Sequence, residues 1–165
     1  MELWDILDEN GNPKGYTHER GKPVKDGDYH LVVGVMLTTP DKRVLLTFRH
    51  PDKPNGNRWE ISAGSAVAGE DSLTAVQREL HEETGVFLPK ELFELRKAYA
   101  GNHAFYHLYH ARADISLEDI VLQEGETVDA RLATAEEFRK LTAEGKICPF
   151  IMDRHYDDIL KELET

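Results

Sequence analysis

Cysteine is nearly missing from this chain. The single Cys148 among 165 residues allows no internal disulfide and no Cys-based zinc cluster, which fits a reducing compartment and makes a buried thiol the expected role of that side chain. Long apolar runs are missing as well. None approaches the roughly 18 residues a membrane-spanning helix needs, and the start Met1-Glu2-Leu3-Trp4-Asp5 is too polar and acidic for a secretory signal. A cytoplasmic protein with no membrane partner is expected. Basic side chains are in deficit, 20 against 31 acidic ones for a formal charge of -11. That excess argues against a nucleic-acid polymer as partner, because a phosphate backbone calls for a basic surface. Internal repeats and low-complexity tracts are also absent.

What is present is 40% hydrophobic content, enough for one well-filled core in a chain too short for two ordinary domains; residues 1–165 read as one domain. Ile6-Leu7 suggests a short strand, ended by a turn at Asn10-Gly11-Asn12-Pro13, and residues 15–28 are polar and turn-rich. His30–Thr39 and Arg43–His50 read as buried strands, joined as a hairpin through Pro40-Asp41-Lys42. After a loop over residues 51–57 come a short strand at Arg58–Ser62 and a helix capped by Asp71 or Ser72 and stopped by Gly85. Strands follow at Leu92–Ala100 and Ala104–Ala113, about a Gly101-Asn102 turn, and at Thr127–Ala133. The end reads as a helix over Thr134–Ala143 and one amphipathic helix including Ile151, Tyr156, Ile159, Leu160 and Leu163. The alternation implies an α/β layered fold with a central, mostly antiparallel or mixed sheet covered by helices.

On the helix after Gly69, Glu79, Glu82 and Glu83 fall within one arc about 100° wide. Like charges at this spacing repel, so the pattern calls for a compensating cation. Carboxylate oxygens are hard donors suited to Mg²⁺, with Mn²⁺ as the alternative, whereas a zinc site would recruit histidine or cysteine. Leu73, Val76 and Leu80 supply the apolar stripe that fastens the helix to a sheet, and Arg78 is placed to orient Glu79 or Glu82.

From Gly64 to Val86 the sequence runs GSAVAGEDSLTAVQRELHEETGV, which fits G-x5-E-x7-R-E-U-x-E-E-x-G-U, with U apolar, at every fixed position. This is the Nudix box, and the chain resembles the Nudix hydrolases. The resemblance implies an α/β/α sandwich with a central mixed sheet. It implies Glu79, Glu82 and Glu83 as both catalytic residues and metal ligands, Arg78 as their orienting partner, and Gly64 and Glu70 as shapers of the loop. The implied reaction is attack of a metal-activated water on a diphosphate linkage in a small molecule, such as a nucleoside diphosphate linked to a group X. The proton acceptor is one of the helix glutamates or one from a later loop, where Glu124 and Glu126 are the candidates.

Within the family, WDILDENGNPKG, THERG, DYHLVVGV and RWEISAGSAVAGED resemble the branch related to isopentenyl diphosphate isomerase. Isomerases of that type place a cysteine just before the box glycine, a glycine-histidine pair after it, and a later glutamate pair. Here the first stretch is Ser62-Ala63-Gly64-Ser65 and the second region is Gly101-Asn102-His103, so hydrolysis is expected and isomerisation is the alternative. A non-catalytic nucleotide-binding module is a further alternative, opposed by retention of every box glutamate. His30, which matches a histidine near the metal site of isomerase-like relatives, and Arg49, which leads into the loop with His50 and Lys53, are the candidate substrate-binding residues. Trp59 is expected in the core. Among His103, His107 and His110, the first two share a face, and none is assigned a metal. A homodimer is compatible with the sequence, and nothing in it specifies the interface.

Overall fold

The computed structural model describes residues 1–165. Its elements are, in chain order, strands β1 (Leu3–Leu7), β2 (Pro13–Glu19), β3 (Tyr29–Thr38), β4 (Val44–Arg49), β5 (Trp59–Glu60) and β6 (Ser62–Ser65), helix α1 (Ser72–Thr84), strands β7 (Glu94–Ala100), β8 (Ala104–Arg112) and β9 (Thr127–Ala133), and helices α2 (Ala135–Ala143), α3 (Pro149–Arg154) and α4 (Tyr156–Glu164). The nine strands form one mixed sheet. β3 is its spine: it runs parallel to β8 along His30–Thr38 and antiparallel to β6 along Val32–Val35, and its first residues pair with β1. β7 extends this wing beyond β8, while β4 gathers β5 and β9 into a second wing.

The alternation of β3 builds two cores. Val33, Val35 and Leu37 pack toward Val76 and Leu80 of α1, while Met36 packs toward Val44, Leu46, Phe138, Ile159 and Leu163 on the other face. Successive side chains point to opposite faces, so a strand covered on both sides needs an unbroken apolar run, as β3 has. The expected α/β/α sandwich is therefore the observed one. Trp59 lies in the second core, as does the buried thiol of Cys148. No helix is long and apolar enough to cross a membrane.

Four local expectations are corrected. β3 and β4 pair only at Thr38 and Val44: the turn between them closes, but each strand then takes other partners and the hairpin opens into the two wings. The polar stretch after Asn12 contains β2, which pairs with β1 alone and is almost wholly exposed; with no buried face it carries no apolar period. The single strand expected at Arg58–Ser62 is two, β5 and β6, on different wings. The C-terminal helix is likewise two, broken at His155, whose Nε2 meets the Tyr99 hydroxyl at 2.8 Å.

Helix α1 begins where Asp71 accepts the Thr74 N–H at 2.8 Å and ends where Gly85 turns left-handed, at φ 76°, with its N–H on the His81 carbonyl. Of the two capping candidates Asp71 thus serves, and Ser72 is free to meet His107 Nδ1 and the Tyr109 hydroxyl, each at 2.6 Å. The helix is fixed to the sheet at its start by these polar contacts and along its length by Val76 and Leu80. Leu80 is fully buried beside Glu79, so Leu80→Ala is expected to lower the unfolding free energy by about 2–5 kcal/mol in urea titration.

Candidate active site

The chain crosses between the two wings at Ile61, and a cleft of about 370 Å³ lies beside this crossing. α1 brings Arg78, Glu79, Glu82 and Glu83 to it, β6 brings Gly64 and Ser65, β5 brings Glu60, and β4 with its following loop brings Arg49 and Lys53. The start of the chain adds Glu2 and Arg20, and the segment entering β9 adds Gln123, Glu126 and Thr127. Ala63 is the only apolar residue in the wall. This is a lining suited to a highly charged occupant.

Arg78 organises the acidic side. Its Nε and Nη2 donate to the two Glu70 oxygens at 2.7 and 2.9 Å, Nη1 donates to Glu79 and Glu82, both at 3.1 Å, and Nη2 also reaches the Ser65 carbonyl at 3.2 Å. One guanidinium thus spans three carboxylates and the strand that carries Gly64. Its planar fork suits such bidentate pairing. Burial opposes the charged form of Glu70, yet the bonds from Arg78 and from the Val67 N–H hold its carboxyl below the usual range.

Glu83 lies outside the reach of Arg78. Burial pushes its carboxyl well above the usual range, and the charges of Glu79 and Glu60 add to the effect, against smaller contributions from Ser62 and the Ala63 backbone. Glu79 and Glu60 are also raised, chiefly by burial, with Arg78 and Arg49 respectively opposing the shift. All three border the cleft, Glu79 paired with Arg78, Glu60 with Arg49 and Glu83 with neither. Their donor set, oxygen only, fits a hard divalent cation. Gly64 fits the same arrangement: a β-carbon there would stand 2.3 Å from the Glu79 carboxyl carbon, so any side chain at this position would have to push that carboxylate aside.

The remaining cations face this acidic group. Arg49 donates to Glu60 at 3.2 and 3.4 Å and to the Pro54 carbonyl at 2.6 Å, Arg20 pairs with Glu2 at 2.9 Å, and Lys53 pairs with Glu126. The hydroxyls of Thr47 and Thr127 are buried without a partner, the latter in the cleft wall.

Of the residues expected to touch substrate, Arg49 lines the cleft and His30 does not. His30 instead lies flat on Trp4, ring centroids 3.7 Å apart and planes 6° from parallel. Burial, helped by the Arg20 charge, brings its pKa down to about 4. The correction has a steric origin: β1 pairs with the first residues of β3 and brings Trp4 over that ring. Of the two loop acids, Glu126 reaches the cleft and Glu124 does not. Sequence reasoning missed Glu60, Arg20 and Thr127. The signal for Glu60 was available, since a charged residue between Trp59 and Ile61 must face away from the core that buries them. Arg20 and Thr127 arrive from distant segments and gave no local signal.

The close approach at Gly64 generates a prediction. Gly64→Ala is expected to displace the Glu79 carboxylate and lower turnover about 10–100-fold, while thermal unfolding and far-UV circular dichroism show a folded protein.

The sequence model of the NUDIX domain family matches residues 28–151. An uncharacterised Nudix hydrolase of Listeria monocytogenes is 36% identical over 152 residues, covering 91% of this chain and 90% of that protein. Among solved structures, a Deinococcus radiodurans protein superposes with a TM-score of 0.75 at 18% identity, covering 99% of this chain and 100% of that one. The NUDIX domain of Shewanella oneidensis NrtR, solved with ADP ribose, gives 0.64 at 18% identity and covers 92% and 95%. The chain belongs to the Nudix family, and with an intact box on helix α1 it is a hydrolase that cleaves diphosphate linkages.

Proposed function

We propose that Glu79, Glu82 and Glu83 hold Mg²⁺, with Mn²⁺ as a substitute, and that the chain hydrolyses a nucleoside diphosphate linked to a further group. The observation that carries this reading is the composition of one cleft: the crowded carboxylates of α1 and β5 on one side, and Arg20, Arg49 and Lys53 on the other. When bound, the cation would lower the pKa of a water and offset charge on the phosphate oxygens. The protein's own groups do the rest. Arg78 holds Glu79 and Glu82 in register with Glu70. Arg49, Lys53 and Arg20 receive phosphate oxygens, and each is kept in place by a carboxylate, Glu60, Glu126 or Glu2. Glu83, which no arginine pairs with, is the group we assign to accept a proton from the attacking water, with Glu126 as the candidate from the later loop.

The relation to isopentenyl diphosphate isomerases is one of descent in this reading. Ala63 stands just before the box glycine, where those enzymes carry cysteine. Cys148 is buried in the second core, with burial pushing its thiol upward. Neither supplies the thiol that isomerisation needs.

Release of phosphate or nucleotide from nucleoside diphosphate derivatives, dinucleoside polyphosphates and prenyl diphosphates tests the proposal. Wild-type turnover is expected to require Mg²⁺, to vanish with a chelator, and to fall at least about 100-fold in Glu83→Gln. Wild type and Glu83→Gln equally silent on the whole panel, with a ligand still bound, would favour a binding module instead. Arg49→Ala is expected to raise KM about tenfold with a smaller change in kcat, the pattern of lost ground-state binding.

A further inference from the structure

Between β6 and α1 the chain makes a tight turn, Val67–Glu70, closed by the Glu70 N–H on the Val67 carbonyl at 3.0 Å. Its third residue, Gly69, is left-handed at φ 85°, and Ala68 before it is not; that combination makes the turn type II. A type I turn closes the same four residues with the central peptide, from Ala68 to Gly69, turned over. Glycine takes either sign of φ with little preference, so Gly69 permits both forms and selects neither. Asp5 distinguishes them. In the observed form the Gly69 N–H donates to Asp5 Oδ2 at 2.7 Å. In the other form that N–H would turn away, and the Ala68 carbonyl would swing toward the Asp5 carboxylate, oxygen against oxygen. The acceptor is itself well placed: Trp4 and Ile6 on either side of Asp5 are buried, Trp4 flat on the His30 ring, so β1 faces Asp5 the other way.

Glu70 ends the turn, and its carboxylate folds back over it. Oε1 accepts the Val67 N–H at 3.1 Å and Arg78 Nη2 at 2.9 Å, while Oε2 accepts Arg78 Nε at 2.7 Å. Turn and guanidinium thus share one carboxylate, and Arg78 carries its setting on to Glu79 and Glu82. We propose that Asp5 is a positioning residue for hydrolysis: by accepting the Gly69 N–H it holds the Val67–Glu70 turn in the type II form and so keeps Glu70, and through it Arg78, in the setting that aligns the carboxylates of α1, an assignment that rests on reading those carboxylates as the hydrolytic site. Asp5 does not itself line the cleft. It lies outside the segment matched by the family model, and the box leaves residues 65–69 unspecified, so the contact belongs to this chain rather than to the motif.

Half of the test needs no substrate. In proton–nitrogen correlation spectra of the intact chain, Asp5→Ala is expected to move the Gly69 amide proton upfield, as loss of a carboxylate acceptor does, and to shift the Arg78 Nε–H resonance. Asp5→Asn, whose amide oxygen can accept the same N–H, is expected to leave the Arg78 resonance near its wild-type position. In Mg²⁺-supported turnover, Asp5→Ala is expected to lower kcat about tenfold with KM within about twofold, the pattern of lost transition-state alignment rather than lost substrate binding. Asp5→Asn is expected to recover kcat to within about threefold of wild type. Should Asp5→Ala loosen the hairpin in urea titration, Asp5→Val, a better strand former without an acceptor, takes its place. Unmoved Gly69 and Arg78 resonances in the folded variant overturn the positioning role, as does an unchanged kcat or an effect confined to KM. Asp5→Asn as impaired as Asp5→Ala overturns the hydrogen bond as its means. Were wild type silent on every substrate, the hydrolytic reading would fall, and the Arg78 resonance alone would decide whether Asp5 sets the Glu70–Arg78 pair.

Discussion

Everything at the candidate site depends on holding several carboxylates closer together than they would stay in water. Side chains three and four apart on a helix are neighbours, and like charges there repel by a few tenths of a kcal/mol per pair when exposed, more when burial lowers the effective dielectric. Arg78 resolves part of the conflict by reaching Glu70, Glu79 and Glu82 at once. It leaves Glu83 unresolved, close to Glu79 and Glu60 and with its carboxyl driven toward the protonated form. One arginine thus serves three carboxylates and leaves the fourth without one, and that imbalance is the ground for the cation proposed at this site. The fold serves that arrangement: α1 is capped at both ends, packed on β3 through Val76 and Leu80, and approached by β6 at a residue with no side chain.

The cations of the cleft obey a related constraint. Arg20, Arg49 and Lys53 stand in a protein of formal charge -11, and each is paired with a single glutamate. Such pairing fixes long side chains that would otherwise lose conformational entropy on meeting a ligand. In the proposed reading, phosphate recognition by this acidic protein is local: the cleft wall sets four cations, Arg20, Arg49, Lys53 and Arg78, against six glutamates.

Much of this was legible in the sequence, because its signals were local. The box at Gly64–Val86, the helix with its Asp71 and Gly85 ends, and the apolar run of β3 are each written within a few turns of chain, and the structure forms the expected elements from them. Signals that depended on long-range pairing were lost. The exposed face of β2 left no apolar period, and the expected β3–β4 hairpin opened because β3 found β6 and β8. The placement of His30 was misjudged for the same reason, since its environment is set by Trp4 on a strand that pairs with it from far upstream. Glu60 was the one residue of the cleft that alternation alone would have found.

The N-terminal hairpin shows why the box cannot be read as a self-sufficient unit. Residues 1–27 lie outside the segment matched by the family model, yet they supply Arg20 and Glu2 to the cleft, and Asp5 and Leu3 to the loop before α1. That loop contains Gly69, at φ 85°, next to Glu70. Its Ala68 and Gly69 N–H groups find their partners on β1, so the loop conformation that presents Glu70 to Arg78 rests on two hydrogen bonds from outside the matched segment. Backbone groups left without such partners would have to turn to water, and the loop would lose its single conformation. The order of dependence therefore runs from hairpin to loop, from loop to Arg78, and from Arg78 to the glutamates. A residue far from the box in sequence can govern its geometry through no more than these contacts.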